Sequence, residues 1–88
     1  MRREVPSDCQ TIALKVLAST LTDERRAQRF LALTGLSPEG IRARAADPVL
    51  LAACIGFLEA HEPDLISVAE ALGLDPSAIV ALRPELEH

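Results

Sequence analysis

The segment Pro48-Val-Leu-Leu-Ala-Ala-Cys-Ile-Gly-Phe-Leu58 carries no charged residue and is apolar on every face of a helix. A helix without a polar face is normally enclosed by other helices. Its 11 residues are also far fewer than the roughly 20 that cross a bilayer. We therefore predict a central core helix, with Gly56 permitting close packing. A second interpretation stays open, in which part of this helix forms a homodimer interface.

The composition around this segment favours helices. The chain has 88 residues, which is one domain near the size at which a single core becomes marginal. Apolar residues make up 49%, but Phe30 and Phe57 are the only Phe, Tyr or Trp residues, so the core must consist of aliphatic side chains. No long alternating β-branched stretch indicates strands. The predicted fold class is all-α, a compact orthogonal bundle of five to six short helices with a central apolar helix.

Helix starts and stops are well marked outward from the central segment. Asp47-Pro48 places a capping side chain before a proline suited to the first helical position. The same device occurs at Ser37-Pro38 and Asp75-Pro76, with Glu62-Pro63 as a weaker version. Gly35 and Gly73 each follow an apolar helix and are suited to end it. The predicted helices are 8–20, one starting at Thr22-Asp23-Glu24 and ending before Gly35, 38–45, 48–61, 63–72 and 76–82.

The N-terminal helix has a capping-box signature. Ser7 and Gln10 have the spacing at which each side chain reaches the other residue's backbone N–H. Residues 35–41 and 73–79 also form an internal repeat, Gly-Leu-cap-Pro, which we interpret as a recurrent way to join two helices. We predict a single helical domain over residues 1–85, with 1–6 as a flexible tail. Residues 86–88 have the sequence of an expression-tag remnant.

The cysteines and His61 offer little chemistry. His61 is the single histidine once His88 is set aside with the tag remnant. No secretory signal precedes Cys9 and Cys54, so we expect reduced, buried thiols rather than a disulfide or a nucleophile. His61 lies in an acidic run, Glu59 to Asp64, whose spacing matches no metal-ligand motif. We expect His61 to favour a helix C-terminus and Asp64 a helix N-terminus. No catalytic, cofactor-binding or metal site is assigned, no cofactor is expected, and we predict that the chain is not an enzyme.

Charge is divided unequally along the chain. Residues 1–45 carry eight bases against five acids, a formal +3, and residues 46–88 carry one base against eight acids, a formal −7. The bases Arg25, Arg26, Arg29, Arg42 and Arg44 surround the Gly35 turn. Three interpretations are open: a solvated face paired with Asp23, Glu24, Glu39 and Asp47, a surface for an acidic protein, or a nucleic-acid site.

A second hairpin resembles the helix–turn–helix of DNA-binding regulators. Over residues 65–84, Ala69 and Gly73 take the small-residue and turn positions of that motif. The second helix, however, offers Asp75, Ser77, Val80 and Ala81 rather than the Arg, Asn or Gln that read base edges. We expect its helical geometry without base recognition.

A family resemblance rests on Phe30-Leu-Ala-Leu-Thr-Gly-Leu-Ser-Pro-Glu-Gly-Ile-Arg-Ala-Arg44, on Asp47-Pro48, and on Phe57-Leu-Glu-Ala-His-Glu-Pro-Asp-Leu65. Over roughly residues 8–83 the chain resembles an alphaproteobacterial family known only as a domain of unknown function, DUF3572. The resemblance implies a single-domain intracellular bacterial protein. It implies no activity, cofactor or catalytic residue.

The leading functional hypothesis is a noncatalytic, cytoplasmic protein–protein interaction module, with a homodimer as one form. The predicted contact surface consists of Arg25, Arg26, Arg29, Arg42 and Arg44, and reversal of Arg26 and Arg29 to Glu should abolish partner capture while leaving the helical CD signal intact. The alternative is nucleic-acid binding by the basic first hairpin, which would weaken steeply with salt. No membrane association is expected.

Overall fold

The computed structural model describes residues 7–87, except the side chain of Ser7. These residues form helices and connecting turns without a β-strand, which confirms the all-α prediction. Residues 7–87 contain seven helices, one more than predicted. The helices are α1 (Ser7–Thr20), α2 (Glu24–Thr34), α3 (Pro38–Ala43), α4 (Pro48–Glu59), α5 (Glu62–Leu72), α6 (Pro76–Val80) and α7 (Leu82–Glu87).

Most helix starts follow the predicted capping chemistry. The side chain of Asp23 accepts from the backbone N–H of Arg26 at 2.9 Å, and that of Asp47 accepts from Val49 N–H at 2.9 Å. Ser37 and Asp75 cap α3 and α6 in the same way. The exception is α5, where His61 occupies the N-cap without a side-chain capping bond and Glu62 is already helical.

Two glycines end helices in the left-handed conformation. Gly35 has φ of 73° after α2, and Gly73 has φ of 68° after α5. A residue with a Cβ is strained in this region, so glycine is the natural choice at both positions. The two copies of the internal repeat therefore share their turn geometry as well as their sequence.

The core lies between α1, α4, α5 and α7, and its buried side chains are almost all aliphatic. The central position of α4 is confirmed, since Leu51, Cys54, Ile55 and Leu58 are fully buried. Val49 is 76% exposed, however, so α4 also has a solvent-facing side. The radius of gyration, 12.3 Å, matches the value of about 12 Å expected for a compact chain of this length.

The C-terminal helix α7 is the element absent from the predicted set, in which the last helix ends at residue 82, just before Arg83 and Pro84. Pro84 is the third residue of α7, where the backbone N–H has no intrahelical acceptor and its absence costs little. Leu86 is 5% exposed and belongs to the core. The prediction that the domain ends at residue 85 is therefore wrong for residues 86 and 87. The predicted tail, 1–6, and His88 lie outside the described residues.

The N-terminal helix α1 buries the face predicted for it, with Ala13, Val16, Leu17 and Thr20 in the interior. The Gln10 side chain does not take the capping role predicted for it. The Gln10 amide donates to the carbonyl oxygen of Ala46 at 2.9 Å, so this side chain ties α1 to the turn before α4 instead of reaching back to residue 7.

Within residues 7–87, no single helix combines the length and apolarity needed to cross a membrane. Two consecutive segments, Glu62–Leu72 and Pro76–Glu87, would meet that test only together, and they are bent by 102° where they join.

Candidate interaction surface

The five arginines predicted to form one contact surface lie in different environments. Arg26 is only 6% exposed, so its predicted place on the solvent-facing surface is wrong. Its Nε donates to the carbonyl oxygen of Thr20 at 3.0 Å, and its Nη2 donates to that of Ser19 at 2.9 Å. The carbonyls at the end of a helix lack intrahelical partners and carry the negative end of the helix dipole. Arg26 therefore fastens the start of α2 to the end of α1.

Asp64 is the acidic residue around which two of these arginines meet. Arg29 Nη2 forms a hydrogen-bonded ion pair with Asp64 Oδ2, and Arg26 Nη1 lies 3.9 Å from Asp64 Oδ1. His61 Nδ1 lies 2.9 Å from Asp64 Oδ2. Partial burial acts to raise the pKa of Asp64, but the hydrogen bonds and charges of Arg29 and His61 outweigh it and lower the pKa. The cluster connects α2 to the first turn of α5.

His61 lies near the C-terminus of α4, as predicted, and its backbone N–H donates to the carbonyl oxygen of Leu58 at 3.1 Å. Helix α4 ends at Glu59 with Ala60 as C-cap, and His61 is the N-cap of α5. Asp64 lies in the first turn of α5, as predicted, where a carboxylate favours the positive end of the dipole. Among residues 7–87, no three His, Cys, Asp or Glu side chains converge on a metal position.

An aromatic contact accompanies the ionic one. The rings of Phe30 and Phe57 lie 5.2 Å apart at 60°, and the Arg29 guanidinium lies 5.3 Å from the Phe57 ring centre. Such tilted ring pairs and cation–π contacts each stabilise packing modestly. Arg29 thus supports the attachment of α2 to α4 and α5 while remaining 47% exposed.

The outward side of α2 is open to solvent. Arg25, Gln28, Arg29 and Ala32 line an open depression of about 520 Å³. Leu33 is 65% exposed and lies on the same helix. At about 100° per residue, Arg25, Arg29, Ala32 and Leu33 fall within an arc of about 100° around the helix. We call the side chains of Arg25, Gln28, Arg29, Ala32 and Leu33 the α2 surface.

The remaining two arginines are exposed near the next helix. Arg42 lies in the last turn of α3, and Arg44 is its C-cap. No hydrogen bond or ion pair between described residues connects either side chain to α2. The structure therefore brings Arg25 and Arg29 together on one surface and places Arg42 and Arg44 beyond the Gly35 turn.

The acids expected to neutralise these arginines do not pair with them in the described part of the chain. Asp23 and Asp47 accept backbone N–H groups as helix caps. The carboxylate that pairs with Arg29 comes from α5. Within residues 7–87, no carboxylate oxygen lies within 4.0 Å of a guanidinium nitrogen of Arg25, Arg42 or Arg44.

Both cysteines are free and buried, as predicted. Burial raises the pKa of Cys54 to about 11, and the Thr20 hydroxyl and Arg26 offset this only in part. The Cys54 thiol donates to Thr20 Oγ1 at 3.4 Å. The pKa of Cys9 is also raised, by burial and then by Glu85. Both thiols are therefore protonated at neutral pH, and neither is activated as a nucleophile.

The angle between the two helical segments of the second hairpin suits a helix–turn–helix motif, but the hairpin lacks the basic side chains that such a motif uses to bind DNA. The bend of 102° after α5 lies in the range of helix–turn–helix motifs, but α6 has only 5 residues. Arg83 is the basic residue of this region. Its Nη1 atom lies 3.2 Å from Glu59 Oε2, and its Nε atom lies 3.6 Å from Glu87 Oε2. Its guanidinium is thus engaged by two carboxylates of the same chain.

These features define the chain as a small all-α bundle domain with an exposed basic surface on α2. The chain belongs to the family described as "Protein of unknown function (DUF3572)", which matches residues 6–88. The match confirms the family resemblance and extends it over all seven helices. No curated protein and no solved structure shows significant similarity to the chain.

Proposed function

We propose that this protein is a noncatalytic protein–protein interaction module that binds an acidic protein surface. The contact residues are the α2 surface together with Arg42 and Arg44. We place this function in the cytoplasm of a bacterium. The proposal omits Arg26, because its guanidinium is occupied by backbone carbonyls in the interior.

The observation that carries the proposal is that Arg25, Arg42 and Arg44 have no carboxylate partner within the described residues, although acids are close by in sequence. The exposed Leu33 lies one helical turn after Arg29 on α2. Arginine beside exposed apolar side chains is typical of the residues that anchor protein interfaces. A negatively charged partner would also be drawn to this side of the molecule by long-range attraction.

A protein partner fits this surface better than a nucleic acid does. Base stacking needs exposed rings, whereas Phe30 is fully buried and Phe57 packs beneath Arg29. A nucleic acid carries phosphates along its whole length and would also meet the acidic second half of the chain, whereas a protein can present its acidic side chains to the basic side alone.

Charge reversal tests the proposal without disturbing the interior. Arg25→Glu and Arg42→Glu, singly and together, should leave the helical CD signal unchanged because both side chains are exposed. The measurement is quantitative mass spectrometry of proteins captured from the native host after mild crosslinking. We expect the double variant to lose its partner by at least about tenfold, which corresponds to about 1.4 kcal/mol.

Lys15→Glu is the matched control, because Lys15 is an exposed base on α1. It should capture the partner as the wild type does. Equal capture by the double variant would contradict the proposal. Binding to duplex DNA that weakens steeply with salt, without a protein partner, would favour nucleic-acid binding instead.

A further inference from the structure

A second exposed surface lies between α4 and α7. These two helices form an open groove of about 590 Å³. The groove shares no residue with the α2 surface. Its lining residues are Pro48, Val49, Ala52, Ala53, Gly56, Arg83, Leu86 and Glu87.

The α4 side of the groove is apolar although it faces solvent. Val49 is 76% exposed and Ala53 is exposed, and the only charged residue in α4 is its last, Glu59. The solvent-facing side of a helix in a monomeric protein is normally polar. An apolar side that remains open is available for contact with a partner.

The groove floor also permits a close approach. Val49, Ala52, Ala53 and Gly56 recur at spacings of three and four residues, which places them on one side of α4. A Cβ built at Gly56 would meet only Arg83 Nη1, at 3.0 Å, and nothing else within 4 Å. Apart from α4 itself, the end of the Arg83 side chain is what approaches Gly56, so a partner that contacts this glycine would displace that side chain.

The charges at the rim identify the occupant. The groove lining has one base, Arg83, and one acid, Glu87, whose Nε and Oε2 atoms lie 3.6 Å apart. Arg83 Nη1 also lies 3.2 Å from Oε2 of Glu59, at the end of α4. A partner of one charge would attract one of the two lining charges and repel the other. Under a two-fold axis, however, Arg83 of each copy can face Glu87 of the other, which makes the surface complementary to itself.

We propose that this groove binds a second copy of the chain, with the two α4 helices antiparallel across a two-fold axis and Ala53 near that axis. The inference does not depend on the proposed function, because it concerns a different surface. An acidic partner on the α2 surface and a second copy in the groove can bind at the same time.

The first test is the oligomeric state of the full chain by sedimentation equilibrium at about 100 µM, above the micromolar dissociation constants of weak specific interfaces. The wild type should show twice the monomer mass of 9.5 kDa. Ala53→Glu should be monomeric, and Ala71→Glu, an exposed alanine on α5, should remain dimeric. A monomeric wild type, or a dimer that survives Ala53→Glu, would overturn the proposal.

Charge exchange then tests the two-fold pairing. Arg83→Glu alone and Glu87→Arg alone should each lose the dimer, because the facing side chains then carry the same charge. An equimolar mixture should regain a dimer containing one chain of each kind. A mixture that stays monomeric, although both variants keep their helical CD signal, would refute the pairing.

Crosslinking locates the axis. Ala53→Cys should form a disulfide-linked dimer on mild oxidation, whereas Ala32→Cys, an exposed alanine on the α2 surface, should not. The buried Cys9 and Cys54 give the wild type no competing linkage. Equal crosslinking of the two variants would rule out an axis at Ala53.

Discussion

The Nε atom of Arg26 lies 3.0 Å from the carbonyl oxygen of Thr20 and donates a hydrogen bond to it. This contact joins two consecutive helices across the short turn between them, and it uses a guanidinium that the sequence pattern assigns to the surface. The same side chain approaches Asp64 of α5 at 3.9 Å. Three helices thus depend on one buried base.

We expect Arg26→Ala to lower the free energy of unfolding by about 3 kcal/mol, because it leaves the carbonyl groups of Ser19 and Thr20 without their charged donor and removes one of the positive charges beside Asp64. Urea unfolding followed by far-ultraviolet CD measures this change. The control is Arg25→Ala, an exposed neighbour on the same helix, which should stay within about 0.5 kcal/mol of wild type. An equally small effect at Arg26 would contradict the structural role. Arg26→Glu should reduce the helical signal itself and is unsuitable for testing partner capture.

Acid should weaken the fold partly through Asp64. Its pKa in the folded chain is below the ordinary value of 3.8, so the unfolded chain binds more protons in acid. The stabilising contribution is complete above pH 3.8 and is lost as the pH falls through the folded-state pKa.

Asp64→Asn should cost about 1 kcal/mol at neutral pH, because the ion pair with Arg29 is replaced by a hydrogen bond from the guanidinium to an uncharged amide oxygen. Its urea midpoint should also fall less steeply with acid than that of the wild type. Glu70→Gln, at an exposed position on the same helix, serves as the control and should keep the wild-type slope. Identical slopes in wild type and Asp64→Asn would show that the Asp64 pairing does not contribute.

Substitution by alanine should lower the stability at the two left-handed glycines but not at the helical Gly40. Gly35→Ala and Gly73→Ala should each lower the free energy of unfolding by about 1 kcal/mol, because a residue with a Cβ is strained at positive φ. A Cβ added at either position would meet no atom within 4 Å beyond its chain neighbours, so the cost is one of backbone conformation alone. Gly40→Ala in α3 makes only ordinary contacts, from 3.4 Å, and should be neutral or stabilising. Thermal unfolding of the three variants distinguishes these outcomes.

The native thiols should be unreactive. Because Cys54 is buried with a pKa near 11, a disulfide reagent should not modify it in the folded protein at neutral pH. Cys9 should behave alike, since its pKa is also raised. Absorbance of the released reagent group should report both thiols only after denaturant is added. Rapid modification of the native protein would indicate that the region around Thr20 opens readily.

The local signals in the sequence predict most of the fold. Asp23, Ser37, Asp47 and Asp75 act within three residues of themselves, and their capping bonds depend on little else. Pro84 is harder to interpret, because a proline that stops one helix can equally begin the next. The apolar segment from Pro48 indicates the core helix, but not which of its sides remains uncovered.

The candidate site is less predictable, because it depends on contacts between distant residues. Arg29 and Asp64 are 35 positions apart, and only the packing of α2 beside α5 brings them together. Helical periodicity places Arg25, Arg26 and Arg29 on neighbouring positions without showing which of them points inward. Arg26 is the one, because its guanidinium donates to the carbonyl oxygens of Ser19 and Thr20 at the end of α1.

The contact between Phe30 and Phe57 has a practical consequence for spectroscopy. The chain has no tryptophan or tyrosine and no other phenylalanine, so every aromatic signal in the near-ultraviolet arises from this pair. One ring belongs to α2 and the other to α4. The vibrational fine structure of phenylalanine in a near-ultraviolet CD spectrum therefore reports, without a label, whether α2 stays packed against α4. It can be recorded during denaturation or when a partner is added.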